Sequence, residues 1–357
     1  LALCTANLPD PVAAIDPAQG GSPQDYFDST LWVGKTSTAS VIDDLSFQPD
    51  WVWIKERSST SGHGFIDSVR GVSNVLFSNL TDAEATSQNW LASFDSNGFT
   101  TGASNNGSNQ LNQTYVAWNW KAGTSFSNDA SATGIGSIDS AGSVNSDLGF
   151  SIINLTGTGS ALTVAHGLSQ APELIIEKNR EKDDSWPVYS ATLGNTKALL
   201  LNTTGSAGTS STFWNDTSPT STVWTMGTQN SVNVSGQETI AYCFHSVEGY
   251  SKINSYTGNG NTDGTFVYTG FRPAWVVIKS VTSETGWRIY DSKRLGYNVT
   301  NNALYANDSG AEDAANDHID LTSNGFKMRR SNVSNTSGVT YIYMAFAEQP
   351  FKYANAR

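Results

Sequence analysis

Apolar residues recur at every second position along much of the chain, in short runs bounded by Gly, Asn, Ser and Pro. The runs "TYVAWNW" from Thr114, "ETIAYCF" from Glu238 and "TYIYMAF" from Thr340 are the clearest. Alternation of this kind, rich in Val, Ile, Tyr, Phe and Trp, predicts short antiparallel strands. Helical periodicity is nearly absent. Only "TDAEATSQNWLASF" from Thr81 and "DSGAEDAANDHID" from Asp308 are expected to hold a helical turn each. The expected class is all-β, built from tandem antiparallel β-sandwich modules of jelly-roll type, about 100 residues each.

One pattern occurs three times: "FQPDWVWIKE" from Phe47, "QAPELIIEKN" from Gln170 and "FRPAWVVIKS" from Phe271. Gly34, Pro49, Lys55 and Asp67 are spaced by 15, 6 and 12 residues. Gly157, Pro172, Lys178 and Ser190 keep that spacing, as do Gly258, Pro273, Lys279 and Asp291. Recurrence at fixed spacing is the mark of a repeated structural unit. Each unit then passes through a polar loop into "HGFID", "WPVYS" or "WRIYD". Next come "VLFSN", "ALLLN" and "ALYAN", ending on Asn79, Asn202 and Asn307. We expect three homologous repeats at 25–123, 149–248 and 249–357, after an N-terminal lead over 1–24. Residues 124–148 are Ser/Gly-rich and are expected to be a linker or a loosely held edge strand. No such gap divides the last two repeats, which are expected to pack closely.

The proline lacks an N–H and suits the first residue of a strand. The run behind it is apolar on both faces in the first and third repeats, which predicts a central strand with Trp53, Ile176 and Ile278 in the core. The lysine is expected where the strand surfaces, its stem on the core edge and its ammonium in water. A ligand-binding lysine in each module is the alternative.

Composition narrows the function. The chain has 357 residues, only 15% of them charged, and a net charge of −12. Its solubility rests on Asn, Ser, Thr and Gly, as in extracellular or virion β-proteins. A net negative surface repels phosphate, so no nucleic-acid partner is expected. No run of 18 apolar residues exists, and no membrane insertion is expected. The chain begins at Leu1 without Met, and we read it as part of a longer protein. Cys4 and Cys243 stand far apart in unlike contexts, so both are expected to be free thiols. The eleven Asn-x-Ser/Thr sequons are what chance supplies in a chain this rich in those residues.

Candidate chemistry is thin. His63, His166, His245 and His318 show no zinc-ligand spacing, no nucleophile elbow exists, and no metal or cofactor is expected. "NGNTDG" from Asn259 resembles the start of a calcium loop, but Gly270 stands where the loop needs glutamate, so a turn is expected. Asp67 and Asp291 are equivalent carboxylates, but the middle repeat has Ser190. They are expected to orient a turn through backbone hydrogen bonds as readily as to cleave a glycoside. We expect no enzymatic activity. Trp90, Trp186, Trp214 and Trp224 lie in loop-like contexts. They are the candidates for stacking on sugar rings, with core packing as the alternative.

"TYVAWNWKAG", "TYIYMAFAEQPFKYANAR", "FQPDWVWIKER" and "GHGFIDSVRG" together resemble a repeat domain of unknown function. It occurs in tail-fibre-like virion proteins of marine tailed bacteriophages. "LALCTANLP" is similar to the segment that follows a SPRY-like domain in such proteins. The resemblance covers nearly the whole chain and carries over no functional residue. It implies a virion-surface protein made in the host cytoplasm. That protein would be the C-terminal part of a tail fibre or spike, homotrimeric, contacting other virion proteins and a host-surface glycan. A structural or head-decoration protein and a polysaccharide depolymerase are the alternatives.

Overall fold

The structure is a computed structural model that describes residues 8–86, 88–103, 107–295, 297–300, 302–314 and 319–354. It is antiparallel β throughout, in three sandwich-like lobes. The first lobe holds β1 (Phe27–Val33), β2 (Val41–Ile42), β3 (Trp51–Glu56), β4 (Gly64–Asp67), β5 (Leu76–Phe77), β6 (Leu91–Asp95), β7 (Gly98–Thr101) and β8 (Thr114–Trp120). Its large sheet runs β1-β8-β3-β4-β5 and its small sheet β2-β7-β6.

Residues 124–148 form β9 (Thr124–Asn128), a one-turn helix α1 (Ala130–Thr133) and β10 (Ser140–Asn145). The second lobe holds β11 (Phe150–Thr156), β12 (Leu162–Ala165), β13 (Leu174–Asn179), β14 (Pro187–Ser190), β15 (Lys197–Leu200), β16 (Gly208–Thr209), α2 (Ser211–Trp214), β17 (Val223–Met226) and β18 (Glu238–Phe244). Its large sheet runs β16-β15-β14-β13-β18-β11-β10-β9, so the Ser/Gly-rich segment widens this sheet, and β12 pairs with β17. The third lobe holds β19 (Ser251–Thr257), β20 (Phe266–Tyr268), β21 (Phe271–Ser280), β22 (Arg288–Asp291), α3 (Ser292–Leu295), β23 (Leu304–Tyr305), β24 (Ile319–Thr322), β25 (Gly325–Met328) and β26 (Thr340–Pro350). Its sheets run β19-β26-β21-β22-β23 and β20-β25-β24.

With β9, β10 and β16 set aside, the three large sheets share one strand order. The register agrees as well: Lys55 pairs with Val116, Lys178 with Ile240 and Lys279 with Ile342. The glycine frame has a steric cause. A Cβ on Gly34, Gly157 or Gly258 would lie 2.0, 2.5 or 2.3 Å from the carbonyl oxygen of Gln110, Val234 or Thr336. Only a residue without a side chain permits that approach.

Both faces of each large sheet are apolar because both are covered. One face packs on the lobe's own small sheet: Val52, Ile54 and Ile66 meet Ile42 and Phe99 in the first lobe. Ile175, Ala241 and Cys243 meet Val164 and Trp224 in the second, and Val276 and Ile278 meet Val267 and Phe326 in the third. The opposite faces of all three sheets meet in one central core. Trp51, Trp53, Trp118, Trp120, Ile176, Tyr242, Phe244, Trp275, Val277, Met344 and Phe346 belong to it. Trp275 lies 5.5 Å from Trp120 and 6.1 Å from Trp53, ring centre to ring centre. Trp53, Ile176 and Ile278 are buried as expected.

Two expectations fail. Lys55, Lys178 and Lys279 do not reach water; all three are buried. Lys55 Nζ donates to the carbonyls of Glu56 and Ser309 at 2.6 and 3.1 Å. Lys178 donates to Asn179 and Lys182 at 2.9 and 2.6 Å, and Lys279 to Thr204 and Thr285 at 2.9 and 2.8 Å. Burial lowers each ammonium to about 8. The reason is the packing of the lobes. The end of β3 meets a loop of the third lobe, and the end of β21 meets a loop of the second, where solvent was expected.

The helical turns expected after Thr81 and Asp308 are also absent among the described residues of those stretches. Extended backbone pairing across lobe boundaries replaces them. Glu84 N donates to Arg180 O at 2.7 Å, and Glu312 N to Arg57 O at 2.9 Å. The helical turns form instead where a side chain caps them, as Asp129 does for α1 and Ser210 for α2.

Candidate functional site

The four tryptophans singled out in the sequence are all inside. Trp90 is 4% exposed and Trp186, Trp214 and Trp224 1% or less. Trp90 lies edge-on to Phe77 at 5.4 Å and covers Gly64 and Gly107. Trp186 Nε1 donates to the carbonyls of Phe77 and Leu80, at 3.2 and 3.1 Å, and so ties the second lobe to the first. Trp214 Nε1 donates to Lys197 O at 2.9 Å. Trp224 Nε1 donates to Glu177 Oε1 at 2.6 Å. None offers a ring face to a ligand. Their polar flanking sequence suggested loops in water, but Trp214 ends α2, Trp224 lies within β17, and the loops that carry Trp90 and Trp186 turn them into the interior.

Asp67 and Asp291 are also closed off. Asp67 Oδ1 accepts from the backbone N–H groups of Val69 and Arg70, at 3.1 and 2.9 Å. Its Oδ2 pairs with Arg70 Nε at 2.6 Å, both side chains fully buried. Arg70 continues to Glu84 at 2.8 Å, and Glu84 to Arg180 of the second lobe at 2.8 Å. At the boundary of the third and first lobes Asp291 pairs with Arg294 at 2.6 Å, and Glu312 with Arg57 at 2.6 Å. These carboxylates orient the turn after the strand and neutralise an arginine, which leaves neither free to face a substrate.

Burial shifts other groups without making a site. Glu177 stands where the other lobes have Ile54 and Ile278. Burial pushes its carboxyl up to about 8, offset in part by the Trp224 hydrogen bond. The His166 imidazole falls to about 4, chiefly by burial. Among the described residues no three His, Cys, Asp or Glu side chains converge as metal ligands. Cys4 and His318 lie outside the described residues.

The outward face of the third lobe's small sheet is different. Phe266 and Tyr268 are 46% and 54% exposed, two residues apart on the edge strand β20, so both rings point the same way. The register sets two rows across the sheet: Phe266 beside Lys327 beside Asp320, and Tyr268 beside Gly325 beside Thr322. Gly325 is required in the second row by close approach of the strands, since a Cβ there would lie 2.0 Å from the Val267 carbonyl oxygen. Lys327 pairs with Asp263, and Arg329 with Asp320 at 3.3 Å. Beyond Arg329 a recess of about 270 Å³ is lined by Thr262, Arg329, Arg330, Ser331 and Asn332. At the other end Tyr268 borders a cleft with Glu248, Gly270 and Phe351. Partial burial, and then the Glu248 charge, raise its phenol above the ordinary value.

The corresponding positions of the other lobes show what the fold needs there. Opposite Thr100 stands Val41, and opposite Thr225 stands Thr163, where Phe266 stands opposite Lys327. Two residues further on, Asp43 and Ala165 take the place of Tyr268. The sheet thus forms without the aromatic pair. The sequence held this signal in "TFVYTG", but the loop from the frame glycine to this strand differs in length among the lobes. The central valines and isoleucine (Ile42, Val164, Val267) follow their glycines by 8, 7 and 9 residues. Fixed spacing therefore could not align them.

A search of the curated proteins returns no match. Three lobes that share one core should register as a single unit. One family model does span them, matching residues 22–350, and the chain belongs to that family, described as Domain of unknown function (DUF7483).

Proposed function

We propose that this chain is a binding module of a bacteriophage virion surface, part of a tail fibre or spike, and that it holds a host-surface saccharide on the outward face of the third lobe. We read the three sheets as copies of one unit, of which the third has acquired this face. The observation that supports this most is the exposed Phe266–Tyr268 pair, set where the other lobes have Val41 and Asp43, or Thr163 and Ala165. Exposed aromatic faces stack on the apolar side of sugar rings. Lys327, Asp320, Thr322 and Arg329 around them supply donors and acceptors for hydroxyls. One such shallow face binds weakly, because lost water contacts and ordering offset much of the gain. Presentation on a homotrimeric fibre would raise the effective affinity by a factor on the order of 10² to 10⁴.

A glycan array probed with the purified chain tests this. At least one saccharide is expected to bind, and Phe266→Thr with Tyr268→Ala, the second-lobe residues, is expected to remove that signal. Binding that the double variant leaves intact, or no binding to any saccharide, overturns the proposal.

A further inference from the structure

We infer that the ligand of this face is an acidic polysaccharide, selected over neutral ones by Lys327, Arg329 and Arg330. The inference rests on the saccharide reading above and adds the charge of the ligand. Three cations fall within four residues here, in a chain of net charge −12. They are not part of the sheet's requirements. Where Lys327 stands, the other lobes have Thr100 and Thr225. The residues after Thr101 are Gly102 and Ala103, and those after Met226 are Gly227 and Thr228.

Asp263 and Asp320 offset Lys327 and Arg329. Among the described residues no carboxylate pairs with Arg330. Its backbone carbonyl accepts from Asn335 Nδ2 at 2.7 Å, which fixes the chain at that point. Arg330 lines the recess together with Arg329, Thr262, Ser331 and Asn332. Two arginines line one recess, and arginine is the side chain suited to an oxyanion with two or more acceptor oxygens, such as a uronate carboxylate or a sulfate ester. The rest of the surface repels polyanions, so binding one requires a local site of opposite sign.

The test compares dextran, alginate and dextran sulfate as ligands of the purified chain, at low and physiological salt. Alginate, dextran sulfate or both are expected to bind at least tenfold tighter than dextran, with affinity falling as salt rises. Alginate alone would assign a carboxylate ligand and dextran sulfate alone a sulfate, and either supports the inference. Arg329→Ala with Arg330→Ala is expected to bring the acidic polymers down to the dextran level. Phe266→Thr with Tyr268→Ala is expected to remove all binding. Equal affinity for dextran and the acidic polymers, or acidic binding unchanged by the arginine substitutions, overturns the charge inference and leaves the saccharide face standing. Acidic binding that needs the arginines but not the rings overturns the saccharide face and leaves an anion site. Binding to none of the three polymers overturns both.

Discussion

The Tyr242 hydroxyl donates to Asp67 Oδ2 at 2.7 Å across the boundary of the second and first lobes. Trp118 Nε1 makes the equivalent bond to Asp291 Oδ2 at 2.9 Å between the first and third. At the remaining boundary the matching positions hold Met344 and Ser190. The arginines and glutamate of the network are replaced there too, by Leu193, Ala207 and Val281, which pack on the central core. Five positions differ together because a buried arginine is tolerated only with its carboxylate, whereas the smaller, mostly apolar set needs neither.

That comparison predicts a cycle of stabilities. Glu84→Ala removes the carboxylate that Arg70 and Arg180 share, and because Asp67 still pairs with Arg70 and Glu238 with Arg180, it should cost about 1 to 3 kcal/mol. Adding Asp67→Ser, Arg70→Leu, Arg180→Val and Tyr242→Met, which copies the apolar boundary, should recover most of the loss. Denaturant titration of both variants decides it. A five-site variant no more stable than Glu84→Ala would show that the two kinds of boundary are not interchangeable.

Glu177 sets a pH dependence. Its carboxyl is raised from 4.5 in the unfolded chain to about 8 in the fold. Its stability contribution is therefore fully present below pH 4.5 and is lost as pH rises towards 8. Glu177→Gln keeps an oxygen for Trp224 and removes the titration. The variant should match the parent near pH 4 and exceed it by about 1 to 4 kcal/mol at pH 8. Taking the difference cancels the opposite trend of His166, whose lowered value costs stability as pH falls from 6.5 towards 4. Parallel stability curves for the two proteins from pH 4 to 8 would rule this out.

The buried lysines predict a third outcome. Lys178→Met keeps the stem volume but leaves the carbonyls of Asn179 and Lys182 without their donor. An unmet buried acceptor costs about 1 to 3 kcal/mol, so the variant should lose at least that much. A surface lysine would lose almost nothing, and an unchanged denaturation midpoint would return Lys178 to the surface.

Strand content and the core strands were legible because alternation and double-faced apolar runs are local properties of the chain. Pro49 and Pro172 stand two residues ahead of β3 and β13, but Pro273 lies inside β21, at an irregularity in its pairing with β26 where a missing N–H is tolerated, and so does not open the strand as expected. What was not legible is the facing of one lobe on another. Lys55 and Trp186 have sequences that suit a wet strand end and a loop, and only the neighbouring lobe's backbone makes them interior. Asn109, Asn233 and Asn335 escaped notice too. Each is fully buried and ties down the loop after the frame glycine, as when Asn109 Oδ1 accepts from Lys35 N at 2.9 Å. They follow those glycines by 75, 76 and 77 residues, a spacing that drifts with loop length. The outward face of β20 was hidden by the same drift.

The shared core predicts how the protein unfolds. Trp275 of the third lobe touches Phe27, Trp53, Trp118 and Trp120 of the first, at ring separations of 6.3, 6.1, 6.2 and 5.5 Å. Trp51 of the first meets Tyr242 of the second at 4.6 Å. No lobe can leave without exposing the inner faces of the other two, so the lobes should unfold in one cooperative transition although each has an outer core of its own. Trp275→Ala opens a cavity at this centre and should cost about 3 to 5 kcal/mol. The loss should move that single transition as a whole. Scanning calorimetry of the parent and the variant reads both quantities. Separate transitions in the parent, with only one of them displaced by Trp275→Ala, would mean that the outer cores, not the central one, hold the lobes folded.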